Sequence, residues 1–177
     1  MVVVSFIMEI ITAAGYIYIS SPTILNLIIS NNNVSNYGGG IYCFSTNSVF
    51  ENVLISNNTA GVSGGGIYYR DSSNDTLINV TITGNTSAYY GAGIHVFDAT
   101  TLTLKNVIIY NNSGNEIHLW SWSDVISISY SNIEGGQNGV VKQDNNATIN
   151  WLAGNINADP LFVDAANQDY HLQASSP

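Results

Sequence analysis

Basic residues are the scarcest feature of this sequence. Its 177 residues contain only three Lys and Arg, namely Arg70, Lys105 and Lys142, against twelve Asp and Glu, so the formal net charge is -9 and the pI is about 4.2. Nucleic acids and anionic membrane surfaces are bound mainly through clustered basic side chains. The composition therefore excludes nucleic acid as a partner and favours neutral or cationic ligands.

Cysteine and long apolar runs are also missing. Cys43 is the single cysteine, so neither an intramolecular disulfide nor a thiolate metal cluster can form. Its neighbours Tyr42 and Phe44 predict a buried apolar position. No run approaches the roughly 20 apolar residues of a membrane helix, and no membrane insertion is expected. The apolar residues 1–8 lack a basic segment and are interrupted by Glu9, which favours a strand over a signal peptide.

The sequence repeats itself with a period of about 26 residues. Asparagine recurs at steps of 26, 27, 27 and 26 in Asn26, Asn52, Asn79, Asn106 and Asn132. Glycine-rich triplets precede isoleucine at the same spacing, before Ile41, Ile67 and Ile94. This period is too short for two packed helices, and each copy alternates β-branched residues with Gly and Asn. The sequence therefore predicts an all-β, right-handed parallel β-helix of about six coils.

The asparagine column is interpreted as structural. The residues two positions before each asparagine, and one and three positions after it, are apolar. Because inward-facing positions alternate along a strand, the alternation must reverse at the asparagine. Asparagine tolerates the left-handed conformation of such a bend, and stacked amides hydrogen-bond along the axis. A second prediction is that the residues following the glycine-rich turns point inward, namely Ile17, Ile41, Ile67, Ile94 and Ile117.

The repeats resemble the right-handed parallel β-helix family, which belongs with the pectate-lyase-like superfamily and includes polymorphic outer-membrane-protein-like repeats of secreted bacterial surface proteins. Residues 154–164 and 169–173, followed by Ser176-Pro177, look like the ending that closes many secreted members. The resemblance implies one domain with a degenerate N-terminal coil or cap at 1–20, regular coils at 21–145 and a closing segment at 146–177. In that family more sequence usually follows, so the chain is expected to be a fragment of a longer protein.

An aromatic stripe is expected on the outer surface. Residues directly after the inward isoleucines, and two further along, point outward. Tyr18 and Ser20 begin these two rows, which continue with Tyr42, Phe44, Tyr68, Arg70, His95, Phe97, His118 and Trp120. Aromatic faces pack against sugar rings while nearby carboxylates, such as Asp71, Asp98 and Asp124, bond hydroxyls. The open alternative is that a loop or a subunit covers the stripe.

Catalysis is a second hypothesis for the same face. Arg70 beside Asp71 and Asp98 is the one combination that resembles the base and calcium-binding carboxylates of a pectate-type lyase. Asp71 and Asp98, one coil apart, are alternatively the carboxylates of a glycoside hydrolase. The dense polygalacturonase and lyase signatures are absent from the sequence. His95, His118 and Asp98 are the candidate ligands of a transition metal.

The sequence thus favours a non-catalytic extracellular or cell-surface module with an adhesin-like binding face, for which glycan is the leading ligand. The alternatives are a polysaccharide lyase or glycoside hydrolase acting on a polyuronate or other polysaccharide, and a pure scaffold. No cofactor is expected, calcium being the one possibility. Open strand edges at the ends of a parallel stack predict end-to-end or side-by-side self-association.

Overall fold

Three parallel sheets form the body of the molecule. The computed structural model describes the backbone of residues 3–11 and 15–177 and the side chains of residues 15–177. Sheet A contains β1 (Val3–Ile11), β3 (Thr23–Ser30), β6 (Val49–Ser56), β9 (Asn74–Thr83), β12 (Thr101–Lys105), β13 (Ile108–Tyr110), β15 (Val125–Ser129), β16 (Asn132–Ile133) and β18 (Thr148–Trp151). Sheet B contains β2 (Gly15–Tyr18), β5 (Ile41–Phe44), β8 (Ile67–Arg70), β11 (Ile94–Phe97), β14 (Ile117–Leu119) and β17 (Val140–Lys142). Sheet C contains β4 (Asn33–Val34), β7 (Thr59–Ala60) and β10 (Thr86–Ser87).

Each strand of these sheets pairs in parallel with its equivalent in the next coil. Six strands stack in order in sheet B, which corresponds to about five turns of the solenoid. The helical content is limited, in the described residues, to two short 3-10 turns at Gly136–Gly139 and Ala165–Asn167. The predicted all-β parallel solenoid is therefore confirmed. The strand predicted near the start of the chain is confirmed as well, as β1.

The core is a column of apolar side chains between the sheets. Ile41, Ile67, Ile94 and Ile117 are at most 1% exposed, as predicted. Cys43 is fully buried among them, also as predicted. Ile17 points inward as predicted, but its register differs from the repeat by two positions, because Ile17 pairs with Cys43 and Gly15 lies opposite Ile41. A shift of two positions preserves the side of the sheet, so Ile17 still packs against the core.

The predicted asparagine turns are present in four coils. Asn26, Asn52, Asn79 and Asn106 have φ angles of 54 to 56° and lie at the surface. Their amides form a ladder in which each Nδ2 donates to the Oδ1 one coil earlier, at 3.1, 3.0 and 2.7 Å. We call this the outer ladder. The bend in each coil therefore contains a residue that tolerates the left-handed conformation and whose side chain is hydrogen-bonded.

Asn132 does not belong to the outer ladder, and that part of the prediction was wrong. Lys105 pairs with Ser129 and Ile108 with Asn132, so Tyr130, at φ 51°, occupies the position of Asn106 in this coil. The step from Asn106 to Tyr130 is shorter than the steps between the earlier asparagines. Asn132 is instead buried, and its side chain is hydrogen-bonded to the backbone of Ala158.

A second, buried ladder was not predicted. It consists of Asn32, Asn58, Asn85 and Asn112, whose Nδ2 groups donate along the stack from coil to coil at 2.9, 3.0 and 2.9 Å. We call this the inner ladder. The amides also donate to backbone carbonyls, for example from Asn85 to Ile55 at 3.0 Å. These contacts satisfy polar groups at the turn between sheets A and C that would otherwise be buried without partners.

The C-terminal segment folds back along the outside of the stack. Strands β19 (Phe162–Asp164) and β20 (Asp169–Leu172) form an antiparallel hairpin. Asn57 Nδ2 donates to Tyr170 Oη at 2.9 Å, and Asn31 Nδ2 donates to Gln168 Oε1 at 3.2 Å. The hairpin therefore contacts early coils from the side. Within the described residues, no helix has the length and apolarity needed to cross a membrane.

Replacing Asn79 tests the outer ladder. Asn79→Ala should lower the free energy of unfolding by about 1 to 3 kcal/mol, because alanine is strained at this φ and the amide hydrogen bonds are lost. Asn79→Gly loses the same hydrogen bonds but relaxes the backbone, so it should cost less. Urea denaturation measures both changes. Equal stability of the two variants would contradict the role of the left-handed turn.

Candidate functional site

Two columns of side chains cover the outer face of sheet B. Column 1 contains Tyr16, Tyr42, Tyr68, His95 and His118. Column 2 contains Tyr18, Phe44, Arg70, Phe97 and Trp120. All eight residues predicted as ligand-binding thus lie on one face. The first coil differs from the prediction, because Tyr16 rather than Tyr18 begins column 1, and Tyr18 rather than Ser20 begins column 2.

Column 1 is a continuous stack of rings. The centroid distances from Tyr42 to Tyr68, from Tyr68 to His95 and from His95 to His118 are 5.1, 5.2 and 5.2 Å. This spacing follows from the distance between neighbouring strands, which places equivalent side chains directly above one another. The stack fixes the orientation of each ring through its neighbours.

The middle of column 1 is buried, contrary to the expectation of an open stripe. Tyr68, His95 and His118 are only 2 to 3% exposed. Tyr37 lies over Tyr68 at a centroid distance of 4.7 Å, and Tyr90 lies over His118 at 4.7 Å. Both covering residues belong to the loops before the glycine-rich turns. The alternative in which loops cover the stripe therefore applies to this part of it.

The two buried histidines have neutral rings at physiological pH. Burial lowers the pKa of His95 to about 3, to which His118 contributes, and burial lowers the pKa of His118 to about 4. Neither Nδ1 atom has a hydrogen-bond partner among residues 15–177. The rings are stacked with an interplanar angle of 13°. Asp98 is exposed, and the part of the chain with described side chains contains no group of three His, Cys, Asp or Glu that could hold a metal.

A slot opens between the two covering tyrosines. Ser63 lies between Tyr37 and Tyr90 along the stack, because it bridges to Tyr90 and its carbonyl accepts from the nitrogen after Tyr37. The small serine side chain leaves a cavity of about 340 Å³ at this position. Tyr68 and His95 line its inner side. Arg70, Phe97 and Trp120 of column 2 line its remaining wall.

Arg70 contacts two neighbours in this wall. Its Nε lies 3.3 Å from Asp71 Oδ2, and its guanidinium carbon lies 5.7 Å from the centre of the Phe97 ring. The neighbouring Tyr42 and the nearby acidic group raise the pKa of Arg70. Asp71 and Asp98 occupy equivalent turn positions in neighbouring coils, with φ angles of 55° and 69°.

A second, more open cleft adjoins the slot. It has a volume of about 520 Å³ and is lined by Phe97, Asp98, Trp120, Ser121, Trp122, Gln143 and Asp144. Trp122 is 68% exposed. Asp124, expected to face a ligand, is instead fully buried and accepts hydrogen bonds from the nitrogens of Ser121 and Thr100 at 2.7 and 3.1 Å. Asp124 therefore shapes the turn that carries Trp122.

Glu116 ends the inner ladder at a third location. It is 4% exposed, and its carboxyl group accepts from the Asn112 nitrogen at 3.1 Å and from Asn112 Nδ2 at 2.5 Å. Burial, together with the neighbouring Glu134 carboxyl, raises the pKa of Glu116 to about 8. Glu134 in turn accepts from the Asn111 nitrogen at 2.7 Å. The sequence does not single out this pair, because its members are well separated along the chain.

Glu116 should make the protein less stable at alkaline pH. Its folded-state pKa of about 8 exceeds the ordinary value of 4.5, so its stabilising contribution is complete below pH 4.5 and is lost as the pH rises through 8. Glu116→Gln should reduce this loss by at least about 1.4 kcal/mol, the equivalent of one pKa unit. Urea denaturation at pH 5 and 8.5 measures it. The matched control is the half-buried Glu51→Gln, and an identical pH profile for both variants would contradict the assignment.

His95 should have the opposite effect at acidic pH. Its pKa is lowered from 6.5 to about 3, so the folded state loses stability as the pH falls below 6.5. His95→Phe keeps a stacked ring without a titrating nitrogen, and should reduce the loss between pH 6.5 and 4 by about 1 to 2 kcal/mol. Thermal unfolding across this range tests it. An acid profile of His95→Phe identical to that of the unsubstituted protein would contradict the assignment.

Comparison with known proteins places this geometry in a family. The family model described as the right-handed β-helix region matches residues 9–156, which include nearly all of the stacked coils and end before the antiparallel hairpin. Searches of curated proteins and of solved structures gave no match. The match agrees with the coil repeat, the inward isoleucines and the asparagine turns described above, and it is consistent with the wider pectate-lyase-like superfamily. The chain therefore belongs to the right-handed β-helix family.

Proposed function

We propose that this chain is a non-catalytic module of a secreted or cell-surface protein, and that it binds glycan through the outer face of sheet B. The observation that carries the proposal is the cleft beside column 2. Trp120 and Trp122 offer aromatic faces there, while Asp98, Asp144 and Gln143 offer hydrogen-bonding groups within the same cavity.

This combination suits a sugar better than an apolar ligand. A sugar ring presents C–H groups on its faces and hydroxyls around its edge, so it packs on an aromatic ring while polar side chains bond the hydroxyls. Exposed Tyr16 and Tyr18 extend the aromatic face at the other end of sheet B. The net charge of -9 opposes a polyanionic chain and favours a neutral glycan.

The enzyme hypothesis is supported by one specific observation. Asp71 and Asp98 are equivalent residues in adjacent coils, and neighbouring strands are about 4.8 Å apart, near the carboxylate separation of retaining glycosidases. Against a lyase, the Arg70 guanidinium is already engaged by Asp71 and Phe97. If the protein releases reducing sugar ends from a glycan and Asp71→Asn abolishes this release, the hydrolase would be favoured over the binding module.

Trp122 provides the most direct test of binding. A glycan array on the folded chain selects the best-bound oligosaccharide, and titration calorimetry then compares variants. Trp122→Ala should weaken binding about tenfold, equivalent to about 1.4 kcal/mol, through loss of the exposed ring from the cleft. Tyr130→Asn removes another exposed aromatic ring, at the turn of sheet A, and is the matched control. Equal affinity of both variants for the glycan would contradict the proposed site.

A further inference from the structure

We propose that the slot between Tyr37 and Tyr90 holds one terminal sugar ring, and that the rest of the glycan leaves the slot through the cleft at Trp122. The inference rests on the proposed function and adds a specificity to it. The protein would recognise the end of a neutral glycan rather than the interior of a long chain.

The spacing of the slot fits one ring. Tyr37 and Tyr90 are two coils apart, with Ser63 between them, so their backbones are separated by about 10 Å. Two successive ring contacts, each with a centroid distance of about 5 Å, span the same length. A pyranose ring above Ser63 would therefore have an aromatic side chain on either side.

His95 lies at the base of the slot. Its ring lines the cavity, although the residue is only 2% exposed. Its Nδ1 is buried and has no hydrogen-bond partner within residues 15–177. A neutral imidazole has one donor and one acceptor nitrogen, so the ring edge that faces the cavity can bond one sugar hydroxyl.

Arg70 provides a donor on the opposite wall. Because Asp71 already offsets its charge, the pair is close to neutral, and the guanidinium is held in place by Phe97 beneath it. A guanidinium has five N–H groups in a fixed geometry, so bonding through Nε leaves others available to neighbouring hydroxyls. These features favour an uncharged sugar with adjacent hydroxyls.

The residues around the slot also determine the direction in which the glycan leaves it. Tyr37 and Tyr90 bound the slot on the two sides that face along the stack, so a chain running parallel to the axis is obstructed at both. Phe97 and Trp120 line both the slot and the cleft, which makes the two cavities continuous across column 2. A chain whose last ring occupies the slot can leave past Phe97 and Trp120, toward the cleft at Trp122.

Titration of Trp fluorescence with methyl hexopyranosides tests the slot, since Trp120 lies in its wall. The probes are the methyl glycosides of glucose, galactose, mannose and N-acetylglucosamine. At least one should bind, and Ser63→Tyr, which fills the slot with a third tyrosine, should weaken that binding more than tenfold. Ser113→Tyr adds the same side chain at an exposed site and should leave binding unchanged.

A second variant keeps the test valid if Ser63→Tyr does not fold. Tyr37 is 41% exposed, so Tyr37→Ala removes one wall at little cost to folding, and should weaken monosaccharide binding about fivefold. Trp122→Ala should weaken binding of the array-selected oligosaccharide more than it weakens binding of the monosaccharide. Together these results would establish a terminal-ring site that continues into the cleft.

Other outcomes separate the two proposals. Monosaccharide binding that is unaffected by both Ser63→Tyr and Tyr37→Ala would overturn the slot. Binding of long homopolymers without any terminal preference, weakened by Trp122→Ala alone, would overturn the slot while supporting the glycan-binding function. Absence of binding to every monosaccharide and every array glycan would overturn both.

Discussion

Backbone pairing between successive coils, in register and at one strand spacing, is the constraint on which the rest of this structure depends. Because each strand bonds its equivalent in the next coil, every position along the chain becomes a column along the stack. A side chain that suits a column is therefore repeated, and the repeated columns are what make the period visible in the sequence. Isoleucines fill the interior, asparagines occupy the turns, and rings stack on the outer face of sheet B.

The columns could be predicted wherever the period held. Ile41, Ile67 and Ile94 follow glycine-rich turns at constant spacing, and their burial was predicted correctly. The prediction failed where a coil was shorter or irregular. Tyr130 rather than Asn132 occupies the turn, because that coil is shorter than the coils before it. No local sequence pattern indicates the missing residues. The inner ladder was visible as asparagines at steps of 26, 27 and 27, but the sequence does not distinguish an exposed amide from a buried one.

The candidate site illustrates the same limit. Strand alternation was enough to bring the eight predicted side chains to one face, since alternation is a local property. It could not predict that Tyr37 and Tyr90 would cover Tyr68 and His118, because these contacts depend on how loops of neighbouring coils lean. The slot at Ser63 exists only because a small residue replaces tyrosine in one coil of that column. The role of Ser63 can be recognised only once the equivalent residues of neighbouring coils are aligned.

The two asparagine ladders carry opposite polarity. In the outer ladder each amide donates to the coil before it, whereas in the inner ladder each amide donates to the coil after it. Their side-chain dipoles therefore point in opposite directions along the axis and largely cancel as coils are added. The inner ladder ends on Glu116, a group that accepts hydrogen bonds from the last amide. The stack can thus lengthen by whole coils without accumulating an axial dipole from these amides, whereas the terminal acceptor is needed only once.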